Sequence, residues 1–170
     1  MKILAHINSN QEEQSLQEHS VNTFAAIEKY AAARGLTNCM KLTAFLHDCG
    51  KASQSFQEYI RKAALENIFL PKVNHSSAGA QILLEVCQQY TTSDDTLVKL
   101  MLAQTIVSHH GLSDFFIGEN MLHKRCYPEK ELDMKHIKSY VDKVTDSQEL
   151  STLFIAARQE LFKYVTDIVQ

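Results

Sequence analysis

Histidines spread over four separate stretches of a short sequence are the feature that most restricts how this chain folds. The set contains five imidazoles and one carboxylate: His19, His47, Asp48, His75, His109 and His110. Imidazole and carboxylate are the ligand types that hold borderline divalent metals such as Mn, Fe, Co, Ni and Zn. A fold that gathers these groups would hold two metal ions with open coordination positions, an arrangement that suits phosphodiester hydrolysis.

The composition favours a single helical domain. The chain has 170 residues, of which 45% are hydrophobic and 22% charged, and it contains only 5 Gly and 2 Pro. A chain of this length buries a substantial core in one domain, and so few helix breakers favour helix. The formal net charge of −3 provides no overall positive field that would attract nucleic acid, although a metal pair would supply strong local positive charge.

Cysteine spacing and the N-terminal residues indicate a cytoplasmic protein. The four cysteines show no C-x-x-C spacing, so we expect reduced thiols and neither a zinc knuckle nor a disulfide framework. The apolar stretch at residues 1–7 is too short for a signal peptide or a membrane span. We therefore expect a cytoplasmic chain with no membrane partner.

The spacing of apolar residues predicts an all-α fold of about seven helices and no strand. These helices are expected over residues 12–34, 37–50, 53–67, 76–90, 95–110, 133–144 and 147–169. Gly35 and Gly111 are expected stops, because glycine readily adopts the left-handed conformation that follows many helices. Residues 113–128 mix apolar and basic side chains without a clear period, which favours a loop. The final helix has no cap, so we expect residues 1–170 to be one domain truncated before its last helix.

The adjacent histidine and aspartate indicate a bridging carboxylate. On a helix, His47 and Asp48 point about 100° apart, which suits two metals if Asp48 bridges them and His47 binds one. Lys51 lies four residues after His47 and would share its face if the helix continued, where it could hold a substrate phosphate. In the alternative interpretation, His47 and Asp48 are an ordinary pair at a helix end. Likewise, Lys51 could be a solvated surface lysine.

Helix ends favour a ligand role for the other histidines of the set. His75 precedes a helix start, whose positive end keeps an imidazole neutral, and the small residues 78–80 allow this turn to pack closely on another helix. His109 and His110 end a helix, where the dipole favours a nearby cation. In the alternative interpretation, His75 belongs to an ordinary capping segment and His19 is a partly buried core histidine. The remaining histidines are interpreted as surface residues: His6, His123 and His136.

Taken in order, four short motifs carry a resemblance to a known family. They are LQEHS at residues 16–20, FLHDCGKASQSFQ at residues 45–57, HSSAGA at residues 75–80 and HHGL at residues 109–112. With them the chain resembles the HD superfamily of metal-dependent phosphohydrolases, which implies an HD-domain helical bundle with a central metal site. Within that superfamily it is similar to the HD nuclease domain of CRISPR-associated type I systems. Two features distinguish this group from other members of the superfamily. One is the sequence that follows His47 and Asp48, and the other is the doublet of His109 and His110.

The resemblance implies a metal site and a reaction. The implied ligands are His19, His47 and Asp48 for one ion, and His75, His109, His110 and the bridging Asp48 for a second. Asp48 and Lys51 would be the catalytic residues, with Lys51 at the scissile phosphate. The implied cofactor is one or two divalent transition-metal ions, with Mn, Ni, Co or Fe expected and Mg or Zn as alternatives. The implied partners are single-stranded DNA, a superfamily 2 helicase domain in the same or another chain, and a CRISPR surveillance complex.

One departure from the family pattern leaves two other functions open. The family carries a further metal-binding aspartate on a late apolar helix, but residues 153–160 contain no aspartate and the surroundings of Asp167 do not match. We expect this ligand beyond residue 170. The second candidate is an HD phosphohydrolase of a nucleotide or cyclic nucleotide, which a pocket for a base and a sugar would favour. The third is a non-catalytic interaction domain, which the unmatched aspartate would favour.

Overall fold

The described part of the chain is a helical bundle. A computed structural model describes residues 2–66, 71, 73–111, 121–129 and 132–169. Within these ranges the α-helices are α1 Leu16–Ala33, α2 Thr37–Leu46, α3 Gln54–Glu66, α4 Ser77–Val86, α5 Ser93–Val107, α6 Met121–Cys126, α7 Met134–Val144 and α8 Ser147–Val169. A short 3-10 helix, Cys49–Ala52, connects α2 to α3. The prediction of an all-α bundle is confirmed.

Two elements differ from the sequence predictions. An antiparallel hairpin of β1 (Leu4–Ile7) and β2 (Glu13–Ser15) precedes α1. The prediction of no strand was wrong because strands of 4 and 3 residues are too short for their alternation to stand out. Within the predicted loop at residues 113–128, residues 121–126 form α6, while residues 113–120 lie outside the described residues.

Local capping residues explain where the helices begin and end. At the start of α1 the Ser15 hydroxyl accepts a hydrogen bond from the Glu18 amide, and Gly35, at φ 65°, follows its end as predicted. The helix α5 begins before its predicted start because Thr92 and Asp95 form a reciprocal capping box. The helix α2 ends at residue 46, so the histidine–aspartate pair follows the helix instead of continuing it.

Two glycines bring the ligand-bearing segments into contact. A Cβ atom at Gly79 would collide with the carbonyl oxygen of Leu46, so α4 packs directly on the end of α2. A Cβ atom at Gly50 would collide with the backbone of His75, so the 3-10 helix touches the segment before α4. The predicted close packing of residues 78–80 is therefore confirmed.

A buried glutamine fixes the hairpin to the rest of the domain. The Gln57 side chain on α3 accepts a hydrogen bond from the Leu4 amide (3.0 Å) and donates to the carbonyl oxygens of Leu4 and Lys51 (both 2.8 Å). Gln57 is buried, so breaking these bonds would leave polar groups unsatisfied away from water. This holds β1 against the 3-10 helix, next to the residues described below.

The hydrophobic core lies among α2, α4, α5, α7 and α8, with α1 packed on α2. Its largest fully buried side chains include Leu42, Leu46, Leu83, Ile106 and Phe154. Burial of each such side chain contributes about 1.5–3 kcal/mol, which gives the ligand-bearing segments a rigid support. None of the described helices is both long and apolar enough to cross a membrane.

Candidate metal centre

Asp48 lies at the centre of the predicted ligand set. The residue is only 3% exposed, between the end of α2 and the 3-10 helix. Four imidazole nitrogens and one ammonium group lie 2.9–3.3 Å from its carboxylate oxygens, and they belong to His19, His47, Lys51, His75 and His109. The fold therefore gathers side chains from α1, the α2 end, the segment before α4 and the α5 end around one carboxylate.

The first carboxylate oxygen faces one pair of imidazoles. Oδ2 of Asp48 lies 2.9 Å from His19 Nε2 and 3.2 Å from His47 Nε2, and the two nitrogens are 3.2 Å from each other. Ligand atoms that bind one ion at about 2.1 Å are about 3.0–3.4 Å apart in octahedral or tetrahedral geometry. The three atoms have the mutual spacing of neighbouring ligands of one metal ion.

The second oxygen faces the other histidines. Oδ1 of Asp48 lies 3.3 Å from His75 Nε2 and 3.2 Å from His109 Nε2. His110 joins this group, because its Nε2 atom is 2.7 Å from His75 Nε2. Ligand atoms of these four residues all lie within 4.8 Å of one another, so the group could hold a metal ion.

Backbone carbonyls orient three of these imidazoles. The Nδ1 atoms of His47, His75 and His109 lie 2.9, 3.2 and 2.6 Å from the carbonyl oxygens of Ala44, Val73 and Ile106. A carbonyl oxygen only accepts hydrogen bonds, so Nδ1 carries the proton in each ring and the Nε2 lone pair is free to bind a cation.

Two buried atoms in the centre have no hydrogen-bond partner within the described structure. They are Asp48 Oδ1 and His109 Nε2, which face each other at 3.2 Å. When Nδ1 of His109 carries the ring proton, both atoms are acceptors and neither satisfies the other. Buried polar groups are rarely left unpaired, so two acceptors aimed at a common point fit a divalent cation.

The electrostatic surroundings keep the carboxylate ionised. Burial by itself raises the pKa of Asp48, but hydrogen bonds with His109, His19, His47 and His75, donated by any ring that also carries a proton on Nε2, hold that pKa far below its usual range. Burial and the neighbouring imidazoles lower the pKa of His110, which keeps this ring neutral at neutral pH. A charged carboxylate and neutral imidazoles are the protonation states that metal binding requires.

Lys51 is part of the centre, although not through a continuing helix. The 3-10 turn brings its ammonium group 2.9 Å from Asp48 Oδ2, and the residue is 4% exposed. The alternative of a solvated surface lysine is therefore wrong. Since a buried ammonium group is costly without a counter-charge, Asp48 compensates this lysine as well as facing the imidazoles.

Sequence reasoning missed one neighbour of the centre, His6. Its side chain is exposed, as expected, but its ring stands edge-on to that of His19 at 4.7 Å and its Nε2 atom lies 3.4 Å from Lys51 Nζ. Only the hairpin and its attachment through Gln57 create this proximity, so no local pattern could have revealed it. The other two surface histidines have local partners: His123 packs on Tyr127 and His136 pairs with Asp133.

The late acidic side chains of α8 are engaged away from the centre. Glu160 accepts hydrogen bonds from the backbone amides of Asn38 (3.0 Å) and Cys39 (2.9 Å), which caps the start of α2. Asp167 pairs with Lys163 at 2.6 Å in the last turns of α8. Neither carboxylate contacts the centre, so neither is a candidate for the late metal ligand.

Comparison with protein-family models identifies a family for the chain. A family model described as "Cas3, HD domain" matches residues 5–169 of the chain. No curated protein matches the sequence significantly. The matched range contains every residue of the centre described above.

Proposed function

Since the chain belongs to the family of Cas3 HD domains, we propose that it is a metal-dependent nuclease that hydrolyses single-stranded DNA in CRISPR antiviral defence. Family membership makes it a CRISPR-associated HD-type phosphohydrolase. The observation that carries the finer proposal is the division of the imidazoles between the two oxygens of Asp48. Two ions bridged by one carboxylate are an arrangement used for in-line displacement at phosphate.

In this proposal each ion has its own set of ligands. The first is held by His19, His47 and Asp48, and the second by His75, His109, His110 and Asp48. When bound, such ions activate water as a nucleophile, orient the phosphate and stabilise the charge that develops on it. The protein contributes rigid ligands, because helix ends and backbone carbonyls fix the imidazoles before metal arrives.

We assign Lys51 to the substrate phosphate. Its ammonium group is the buried cation nearest to the shared carboxylate, at 2.9 Å from Asp48 Oδ2. A positive charge held in a site with little water stabilises the developing negative charge of a phosphoryl transition state strongly. Lys51 would thus contact an oxygen of the scissile phosphate while Asp48 keeps it in place.

The ligand types point to transition metals. Five imidazoles and one carboxylate suit Mn, Fe, Co, Ni or Zn, whereas Mg prefers oxygen ligands and retains several waters. We propose one or two ions from the set Mn, Ni, Co and Fe, with Mg and Zn as weaker candidates.

The proposed partners follow from the family. We propose that the domain acts in the cytoplasm with a superfamily 2 helicase domain, in the same or another chain, once a surveillance complex has bound its target. The net charge of −3 does not attract a polyanion by itself, so delivery of the single strand by such partners suits the chain.

A second candidate is a hydrolase of nucleotides or cyclic nucleotides. It is favoured by a cavity of about 770 Å³ beside the centre, which is in the range that small ligands occupy. An interaction domain without activity is less consistent with the centre, because a buried ion pair and several converging imidazoles are costly for stability alone.

The test is cleavage of circular single-stranded DNA by the purified chain with Mn, Ni, Co or Mg supplied separately. We expect cleavage that a transition metal supports and that a chelator and Asp48→Asn abolish. The matched control is Asp142→Asn, which changes an exposed aspartate on α7. Nucleoside phosphates and cyclic nucleotides are assayed in parallel. Turnover of these alone, by a chain that binds metal, would refute the nuclease in favour of the second candidate.

A further inference from the structure

A cavity of about 770 Å³ opens beside the metal centre, between β1 and α3. Its polar end contains His6, Lys51, His75 and His110. Phe56 and Tyr59 form an aromatic wall that adjoins this end, because the Phe56 ring lies against His75 and beside the Lys51 ammonium group, and Tyr59 packs on Phe56. A polar end next to an ion site and an adjoining aromatic wall match the two halves of a nucleotide.

We propose that this cavity holds the nucleoside that adjoins the reacting phosphate, with the phosphate near His6 and Lys51 and the base against Tyr59. The inference rests on the proposed function, since it assumes a phosphate at the metal centre. The ligand chemistry is a nucleoside monophosphate unit, whether that unit belongs to a single strand or is a free nucleotide.

The polar end offers two nitrogen groups besides the proposed metal ligands: the Lys51 ammonium group, which donates, and the His6 imidazole, whose Nε2 atom accepts from it and whose Nδ1–H remains a donor. Lys51 Nζ lies 3.4 Å from His6 Nε2, so both groups reach the same small region. His6 is exposed toward solvent, whereas its backbone belongs to the strand that Gln57 holds in place. The side chain is therefore positioned by the fold and open to a ligand, as a phosphate contact has to be.

The aromatic wall is fixed from behind. Phe56 is 6% exposed and contacts both His75 and Tyr59, with ring centroids 5.1 and 5.8 Å apart. Tyr59 is half-buried, packs on Phe56 and lines the cavity, so its side chain is supported by the fold and can be reached by a ligand. Stacking of a base on an aromatic side chain does not depend on which base is present, which suits a site that takes any nucleotide.

A second cavity, on the other side of the centre, lacks these features. It measures about 530 Å³, lies between α1, α2 and α5, and reaches His47 and His109. Its described lining residues include no lysine, arginine or aromatic ring besides those two imidazoles. The cavity between β1 and α3 is therefore the one suited to both the phosphate and the base.

The test compares thymidine 5′-monophosphate with inorganic phosphate by calorimetry on the Mn-loaded chain. We expect the nucleotide to bind about 5- to 150-fold more tightly than phosphate, the range that one stacked base provides. Tyr59→Ala should remove this difference and leave phosphate binding unchanged, while Tyr59→Phe should keep it. His6→Gln should weaken both ligands without changing the Mn content. The matched controls are Tyr30→Ala and His136→Gln, at exposed positions on α1 and α7.

Three results would overturn the proposal. They are equal binding of nucleotide and phosphate by the unmodified chain, a Tyr59→Ala variant that keeps the difference, and a His6→Gln variant that loses a bound ion. The last result would make His6 a metal ligand instead of a phosphate contact. Mn content and circular dichroism of each variant show whether it has kept its centre and its fold.

Kinetic measurements distinguish a DNA strand from a free nucleotide as the source of the bound nucleotide unit. If a DNA strand occupies the cavity, Tyr59→Ala raises KM for circular single-stranded DNA. If a free nucleotide does, the rise is confined to mononucleotide substrates. A chain that binds thymidine monophosphate as expected but cuts no DNA would contradict the proposed nuclease and leave the cavity assignment standing. Normal cleavage without the nucleotide preference would contradict the cavity assignment alone.

Discussion

The substitution Asp48→Asn tests the whole centre with one change, because both proposed ion sites use this carboxylate. Asparagine has nearly the same shape, so the packing is retained and the negative charge is lost. His19 and His47 face one oxygen, while His75 and His109 face the other. The variant should therefore lose both ions, whereas His110→Ala should weaken only the second.

The structure gives two contributions to the expected change in stability. Without metal, the variant leaves Lys51 buried beside an amide instead of a carboxylate. Breaking a buried ion pair in this way lowers the free energy of unfolding by about 3–5 kcal/mol. With metal at 100 times its Kd, each occupied site stabilises the unmodified protein by about 2.7 kcal/mol. At about 2–4 °C per kcal/mol for a chain of this size, each ion should raise the Tm by about 5–11 °C.

The assay is thermal unfolding of both proteins with and without Ni, followed by circular dichroism, together with the bound Ni content. We expect a lower Tm for the metal-free variant and no increase on adding Ni. A second variant, Lys51→Met combined with Asp48→Asn, should recover part of the lost stability because it removes the uncompensated charge. A variant that still gains the full Tm increase with Ni would show that Asp48 is not the shared ligand, and an unchanged metal-free Tm would refute the buried ion pair.

Three further outcomes are expected. Gly79→Ala should destabilise the chain by about 1–3 kcal/mol in urea unfolding, because the added methyl group collides with the Leu46 carbonyl. Gly111→Ala, whose Cβ has open space at an ordinary φ, should change the stability by about 1 kcal/mol or less, and equal effects would count against the close helix contact. Lys51→Met should lower kcat for single-stranded DNA about 100- to 1,000-fold at unchanged metal content. If turnover is retained, the role of Lys51 is structural only. Burial raises the pKa of the Cys39 and Cys87 thiols to about 12 and that of Cys126 to about 11, so at pH 8 the native thiols should react slowly with a disulfide reagent and all four should react on unfolding. Rapid reaction of the folded chain would contradict the burial.

The fold was predictable from the sequence where the signals are local. Gly35 ends α1 as expected, and the periodicity of residues 133–144 and 147–169 matches α7 and α8. The hairpin was missed because its strands are stabilised by pairing with each other and by the side chain of Gln57, which no short window contains. The early start of α5 comes from the capping box at Thr92, a signal that the sequence contains but that apolar spacing alone does not register.

The candidate site was predictable to the extent that its motifs also carry packing contacts. Gly50 lies against the backbone of His75, and Gly79 lies against the carbonyl of Leu46, so the small residues beside the ligands are the contacts that bring the ligands together. This explains why the whole motifs, and not only their histidines, predicted the site. His6 has no such local context, because its place beside Lys51 depends on a hydrogen bond to residue 57, far along the chain.

The net charge of the chain and the charge of the centre lead to different expectations about nucleic acid. A formal charge of −3 spread over the chain repels a polyanion weakly, and salt screens it beyond about 8–10 Å. In the proposed metal-bound state, two divalent ions and Lys51 outweigh the single carboxylate of Asp48, while the imidazoles are neutral ligands. The acidic groups of α8 do not offset this excess, because Glu160 caps α2 and Asp167 pairs with Lys163. Under the proposed function, the centre would therefore be locally positive in a chain of negative net charge, and the metals would contribute to binding of the substrate as well as to its chemistry.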